Sequence, residues 1–235
     1  MGNTEKKVLA LRLDAPLQAW CTDASFFGRK TEAWPSRSAV WGLICNAAGW
    51  YGSQKERLTR VADLPVTVLG CQSPNLPVLR DFQTIGSGYD EDEPWEDFMI
   101  PHRTDGQRPA GNSAARILVK EYVMDSVFGA FVTVPAEWAD ELARALQDPV
   151  GSPYLGRKCC IPAAPIFIGV YDAEDEAIEA FRTEMKERGR IPQFEVRECD
   201  KYDPEARVIS DVPVEFGSKR KWRHRAVVVR TLAEL

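Results

Sequence analysis

A chain of 235 residues with 44% hydrophobic and 28% charged residues, seven of them Trp, has the apolar content to bury a core, which excludes an intrinsically disordered or low-complexity protein. No run approaches the ~18 consecutive apolar residues of a membrane helix, and Met1 to Lys7 is too polar and short for a signal peptide, so a soluble, cytoplasmic protein with no membrane contact is expected. The net charge of −5 taken alone argues against nucleic acid, because phosphate binding rests on Lys and Arg displacing counterions.

Val8 to Asp14 (VLALRLD) reads as a buried first strand, followed by an irregular stretch from Ala15 to Trp34. Pro35, Ser36 and Ser38 mark a helix start, and Val40, Trp41, Ile44, Cys45 and Ala48 recur at three-to-four spacing as a core-facing stripe that Gly49 and Gly52 terminate. Pro65 to Cys71 and Pro77 to Ile85 predict two strands joined as a hairpin by a turn containing Pro74 and Asn75. Gly86 to Ala115 is a long polar excursion, of the kind that carries function when it interrupts a compact domain. Ile117 to Met124 and Val127 to Val134 read as a strand pair. Pro135 to Leu146 predicts an amphipathic helix, and Ile166 to Tyr171 the next strand.

This order fits an α+β, ferredoxin-like (RRM-related) split βαβ domain over 1–171 with an inserted β-hairpin thumb at about 86–116. The remainder, 172–235, is expected as a small β-rich C-terminal region with an acidic helix, a polar connection from Gly189 to Pro204 and a last strand at Ala226 to Arg230.

Chemistry-bearing motifs are few. Two histidines and six scattered cysteines without a CxxC pair predict neither a metal site nor a cofactor, and no GxxxxGK[ST], GxGxxG, HExxH or GxSxG is present. Charge is unevenly placed: acid gathers in Asp90 to Asp97 and in the 172–187 helix, while base gathers at Arg29-Lys30, at His102, Arg103, Arg108, Arg116 and Lys120, at Arg157-Lys158 and in KRKWRHR, Lys219 to Arg225. In SPYLGRKCCIP, Ser152 to Pro162, Tyr154 suits stacking on an unpaired base, Gly156 lets backbone approach a phosphate, and Arg157 and Lys158 neutralise charge. A solvated connecting loop accounts for the same composition equally well.

Four segments taken together, LRLDAPLQAW (Leu11 to Trp20), WPSRSAVWGLI (Trp34 to Ile44), LRDFQTI (Leu79 to Ile85) and SPYLGRKCCIP, resemble in content and order the CasD family of type I-E CRISPR Cascade, within the repeat-associated mysterious protein superfamily. The resemblance implies a non-catalytic RNA-binding subunit of an antiviral ribonucleoprotein. Such a subunit binds the 5′ handle of the crRNA, caps the complex backbone, contacts CasC-type backbone and CasA-type large subunits, and meets target DNA only through RNA pairing. Carried over by position, Tyr154, Leu155, Gly156, Arg157 and Lys158 match the handle loop, with Lys158 in place of the usual Arg. Ser36, Arg37 and Ser38 match a helix start whose amides favour phosphate. Lys120 and Tyr122 match the thumb's return strand, and Arg103, Arg108 and Arg116 fall in the insertion. Cys21 departs from the usual Gly, and the acidic Asp90 to Asp97 stretch is expected to point away from the guide.

Lys219, Arg220, Lys221, Trp222 and Arg223 lie outside the matched region and are read as nucleic-acid contacts from charge density alone. Two alternatives stand beside this reading. One is a metal-independent endoribonuclease processing precursor crRNA with His102, Lys120 and Tyr122, or with His224. The other is an RRM-like single-strand binder unrelated to CRISPR.

Overall fold

The structure, a computed structural model, describes residues 5–20, 28–72, 78–85, 105–107 and 116–232. Arg103, Arg108, His102, Cys21 and the Asp90 to Asp97 stretch lie outside the described residues, and of Arg116 only the backbone is described.

The fold is a mixed α/β arrangement dominated by one antiparallel sheet. Its strands are β1 (Lys6–Gln18), β2 (Gly28–Arg29), β3 (Val66–Gly70), β4 (Val78–Ile85), β5 (Arg116–Pro135), β6 (Phe167–Tyr171), β7 (Phe194–Glu198), β8 (Arg207–Glu215) and β9 (Lys221–Thr231). Its helices are α1 (Arg37–Ala47), α2 (Lys55–Val61), α3 (Ala136–Gln147) and α4 (Glu174–Glu187). Across the sheet the order is β6-β1-β5-β3-β7-β9-β8, with β2 and β4 pairing to β5 off that path. The β2–β5 pair is parallel.

Helices cover both faces of β1, which is why its apolar run is continuous instead of alternating. Leu9, Leu11 and Leu13 pack into a core with Val40, Trp41 and Ile44 of α1 and Trp138 and Leu142 of α3. Val8 and Ala10 point the other way, onto Ala177, Ile178, Phe181 and Met185 of α4.

β5 departs from the expected strand pair: the two segments are one strand of 20 residues. Its C-terminal part pairs with β1 and β3 and its N-terminal part with β4, from Val78 opposite Val123 to Ile85 opposite Arg116, so β3 and β4, expected as a hairpin, each pair with β5 and not with one another. The break in pattern at Asp125 is a local bend with φ of 46°, opposite Pro16 in β1. There the buried side-chain amide of Gln18 replaces lost ladder bonds by donating to the carbonyls of Leu13 and Ser126.

The 172–235 stretch, expected as an appended region, adds its strands to the same sheet through β3–β7 pairing, Val68 opposite Val196. Four elements, β2, α2, β7 and β8, were not expected from the sequence. Among the described residues no helix is long and apolar enough to cross a membrane, and no group of His, Cys, Asp or Glu is placed to hold a metal ion.

Candidate nucleic-acid interface

The 152–162 loop is fixed from below. Leu155 is fully buried and its carbonyl accepts from the Ala19 amide at 3.1 Å, while its own amide donates to the Cys160 carbonyl at 2.8 Å. Gly156 has φ of +89°, and a Cβ there would lie 1.6 Å from the Ala19 carbonyl oxygen, so only glycine fits. The end of β1 and this loop are therefore interlocked, and Leu155, predicted to touch RNA, is instead the plug that seats the loop. Tyr154, half-buried, and Lys158, exposed, remain on the rim.

Arg157 is held without being neutralised. Its guanidinium donates from Nη1 to the Glu121 carbonyl at 3.0 Å and from Nη2 to the Arg29 carbonyl at 2.8 Å, and stacks 4.5 Å over the Tyr122 ring. No carboxylate among the described residues pairs with it, so its full charge is presented in one orientation. Tyr122 lies beneath it, buried, with its hydroxyl 3.7 Å from Cys159 Sγ. Burial, with the Cys159 contact, pushes the phenol above its ordinary pKa, although Arg157 opposes the shift. Tyr122 is thus a support for Arg157, which corrects its placement as an RNA contact and leaves it protonated at neutral pH. Lys120, on the β4–β5 arm, donates to Gln83 Oε1 at 2.7 Å and stands opposite Asp81.

The Ser36-Arg37-Ser38 start of α1 divides three ways. Ser36 is buried as the N-cap, its Oγ accepting from the Ala39 amide at 3.3 Å. Arg37 points inward: Nη1 donates to Glu198 at 3.1 Å, and Nη2 donates to the carbonyls of Val61 and Leu64. Its backbone amide donates to Asp211 Oδ2 at 2.7 Å, and Asp211 in turn holds Arg225 in a two-point pair at 2.7 and 2.9 Å. The anion at the α1 N-terminus is therefore an internal carboxylate, not a phosphate, which corrects the assignment of Ser36 and Arg37. Burial, followed by repulsion from Arg225, lowers the Arg37 pKa, while Glu198 and Asp211 oppose that. Ser38 alone of the three faces outward into the cleft described next.

The β8–β9 tip closes onto the 51–54 turn, with the Phe216 amide donating to the Ser53 carbonyl at 2.9 Å. Strand alternation then sorts the basic run. Arg223 turns to Asp63 and the Ala62 carbonyl, Arg225 is buried on Asp211, and Trp222 faces a cleft together with Arg220, while Lys219 and Lys221 are exposed.

That cleft has a volume of about 850 Å³. Its floor is α1 (Ser38, Ala39, Gly42, Leu43, Cys45, Asn46), and one end is the Trp50-Tyr51-Gly52 turn. Ala19, Arg29, Tyr154, Gly156 and Arg157 form one wall, and Phe216, Gly217, Arg220 and Trp222 the other. The lining holds three arginines and five aromatic residues and no Asp or Glu among the described residues. Tyr51, Asn46, Gly42 and Phe216 were not anticipated. An exposed Tyr between Gly49 and Gly52 was the one available signal.

Residues 8–229 match the CRISPR-associated protein (Cas_Cas5) family. The chain belongs to that family. It is 26% identical over 180 residues, 72% of this chain and 74% of the relative, to the CRISPR system Cascade subunit CasD of Escherichia coli (strain K12). A chain of a solved CRISPR RNA-guided surveillance complex has the same fold with a TM-score of 0.72 at 24% identity, covering 95% of this chain and 89% of that one. A second solved Cas protein gives a TM-score of 0.62 at 22% identity over 96% and 94% of the two chains. The CasD-type resemblance read from four short segments is borne out by these matches. Three of those segments meet in this Cas5-family cleft, through Ala19, through Ser38 with Gly42, and through Tyr154 with Arg157. The fourth is β4.

Proposed function

We propose that this Cas5-family chain is a non-catalytic subunit of a type I-E Cascade complex that binds the 5′ handle of the crRNA in the α1 cleft. The observation that carries the reading is the composition of that cleft. In a chain of net charge −5, its lining holds three arginines, five aromatics and no carboxylate among the described residues. Arginines that keep their charge attract phosphate, and exposed aromatic rings take unstacked bases, which together select a single-stranded nucleic acid. In this reading the core is ferredoxin-like, β4 and the N-terminal part of β5 are the base of the thumb, and 172–235 contributes one wall of the RNA site. The thumb base exposes Phe82 (64%) and Ile117 (53%), an apolar surface suited to a CasC-type backbone subunit. The CasA-type subunit and target DNA are reached through the assembled complex, in the cytoplasm.

The nuclease alternative fares poorly on geometry. Cleavage needs a base at the 2′-hydroxyl and a cation at the phosphorane. Tyr122 is covered by Arg157 and Lys120 is bonded to Gln83, so neither is free for that chemistry.

The test is binding of a repeat-derived single-stranded RNA, in EDTA, by the wild type and by Tyr154→Ala with Arg157→Ala. The double variant is expected to bind at least tenfold more weakly with its thermal stability retained, and neither protein is expected to release a discrete RNA product. Equal binding by a folded double variant would end the site assignment.

A further inference from the structure

Gly42 stands in the middle of α1, where glycine is the least favourable residue after proline. Its φ is not positive, and a Cβ placed on it would meet nothing within 4 Å among the described residues. Neither backbone conformation nor packing among the described residues requires glycine here. It lies at the cleft floor, and Ser38 and Asn46, four residues to either side, share its helix face and also line the cleft. The Asn46 Nδ2 donates to the Ser152 carbonyl at 2.9 Å and its Oδ1 lies against Gly151, which fixes the orientation of the amide at the cleft floor. At the end and far wall, Tyr51 (61% exposed) and Trp222 (44%) have no stacked ring or overlying cation among the described residues.

We propose that one unpaired nucleobase of the bound strand enters the cleft edge-first as far as the α1 backbone at Gly42. Its faces contact the rings of Trp222 and Tyr51, and its edge is read by Ser38 and Asn46. The inference rests on the cleft being the nucleic-acid site, and it adds the form of the ligand: a base withdrawn from stacking, which no duplex can supply without opening. Glycine is kept at 42 because any side chain would occupy the space the base edge takes.

The experiment uses the full chain, a labelled single-stranded RNA of the repeat, and the same RNA annealed into a blunt duplex. Gly42→Ala should raise Tm by about 2 to 4 °C, since it improves the helix and clashes with nothing, and should weaken single-strand binding. Gly42→Leu should fold and lose at least tenfold in single-strand affinity, with duplex binding weak and unchanged. Trp222→Ala should lose roughly tenfold, with Trp222→Phe recovering most of it. Asn46→Ala should alter which base substitutions in the RNA are tolerated. If Gly42→Leu binds the strand as the wild type does while Arg157→Ala is weakened, the strand is held at the rim and the inserted base is wrong. If Gly42→Leu binds RNA normally but fails to join the complex, the cleft holds a protein segment, which also overturns the proposal. Should Gly42→Leu not fold, Tyr51→Ala and Trp222→Ala, at exposed positions, decide it by the same criterion. A wild type that binds no single strand refutes the cleft reading itself and this inference with it.

Discussion

The interlock between the 152–162 loop and the end of β1 predicts an unusually large effect from a single methyl group. In Gly156→Ala the new Cβ starts 1.6 Å from the Ala19 carbonyl oxygen, so the loop must retreat by more than an ångström. Three losses follow. A non-glycine residue in the left-handed region costs about 1–2 kcal/mol. The Ala19 to Leu155 hydrogen bond, 3.1 Å in the native loop, contributes about 1 kcal/mol net. Leu155, fully buried, is drawn partly out of its site, and since complete truncation of a buried Leu costs about 2–5 kcal/mol, partial withdrawal costs roughly half of that. Together these come to about 3–5 kcal/mol, a large fraction of the ~5–15 kcal/mol that stabilises a typical domain. Arg157 moves with the loop, off the carbonyls of Glu121 and Arg29, so RNA affinity should fall at least tenfold in the population that stays folded. Urea unfolding measures the first effect as a lower midpoint at unchanged slope, and anisotropy of a repeat RNA measures the second. Lys158→Ala, at an exposed neighbouring position, is the control and should stay within ~0.5 kcal/mol of wild type. A Gly156→Ala protein destabilised by less than ~1 kcal/mol and binding RNA normally would show that the loop is not held from below.

Other perturbations test separate parts of the argument. Asp211→Ala leaves Arg225 buried without its partner and removes the acceptor of the Arg37 amide, so a loss of about 3–5 kcal/mol is expected in the same urea assay. Arg157→Ala should reduce the slope of log affinity against log salt by about 1, and Arg157→Lys should not restore affinity, because an ammonium cannot hold two carbonyls and stack flat on Tyr122. Burial pushes the Cys45 and Cys71 thiols from 9.0 up to about 12. The folded state keeps protons there that the unfolded chain releases above about pH 9, so the thiols' contribution is constant below 9 and stability should fall as pH rises from 9 to 12. At pH 8 a thiol reagent should modify exposed Cys159 first and buried Cys45 and Cys71 only on unfolding. Phe82→Ser with Ile117→Ser should leave RNA binding intact and abolish copurification with the backbone subunit.

Elements whose pattern is set by one nearby core were legible, and elements whose meaning depends on distant residues were not. The three-to-four stripe of α1 and the unbroken apolar run of β1 follow from where the helical layers lie, and a local reading recovers both. β8 escaped because Asp211 and Pro213 look like strand breakers. Asp211 is tolerable in a buried strand only because Arg37 and Arg225, 174 and 14 residues away, converge on it. β5 was cut in two for a similar reason, since the bend at Asp125 makes sense only against Pro16 of the neighbouring strand. α2 carries just two buried residues, Leu58 and Val61, too few to show a period.

The site was legible as segments but not as orientations. Ser36, Arg37 and Ser38 differ by about 100° each around the helix, so they cannot all reach one phosphate. Which one turns inward was decided by Glu198 on β7, which no local pattern announces. In KRKWRHR period two opposes Trp222 to Arg223, and the carboxylates of Asp63 and Asp211 claim the two strand arginines that face away from Trp222. Counting base per segment therefore does not show the cleft, whose three arginines come from three distant places, Arg29, Arg157 and, from this run, Arg220. The same reasoning resolves the net charge. The acidic helix α4 packs on the sheet face opposite α1, so its carboxylates sit in a different layer from the cleft, behind a low-dielectric core. In the proposed reading, what a phosphate meets on approach is the local field of the cleft arginines, Arg157 and Arg220 held by backbone carbonyls, and that field is positive whatever the sum over the chain.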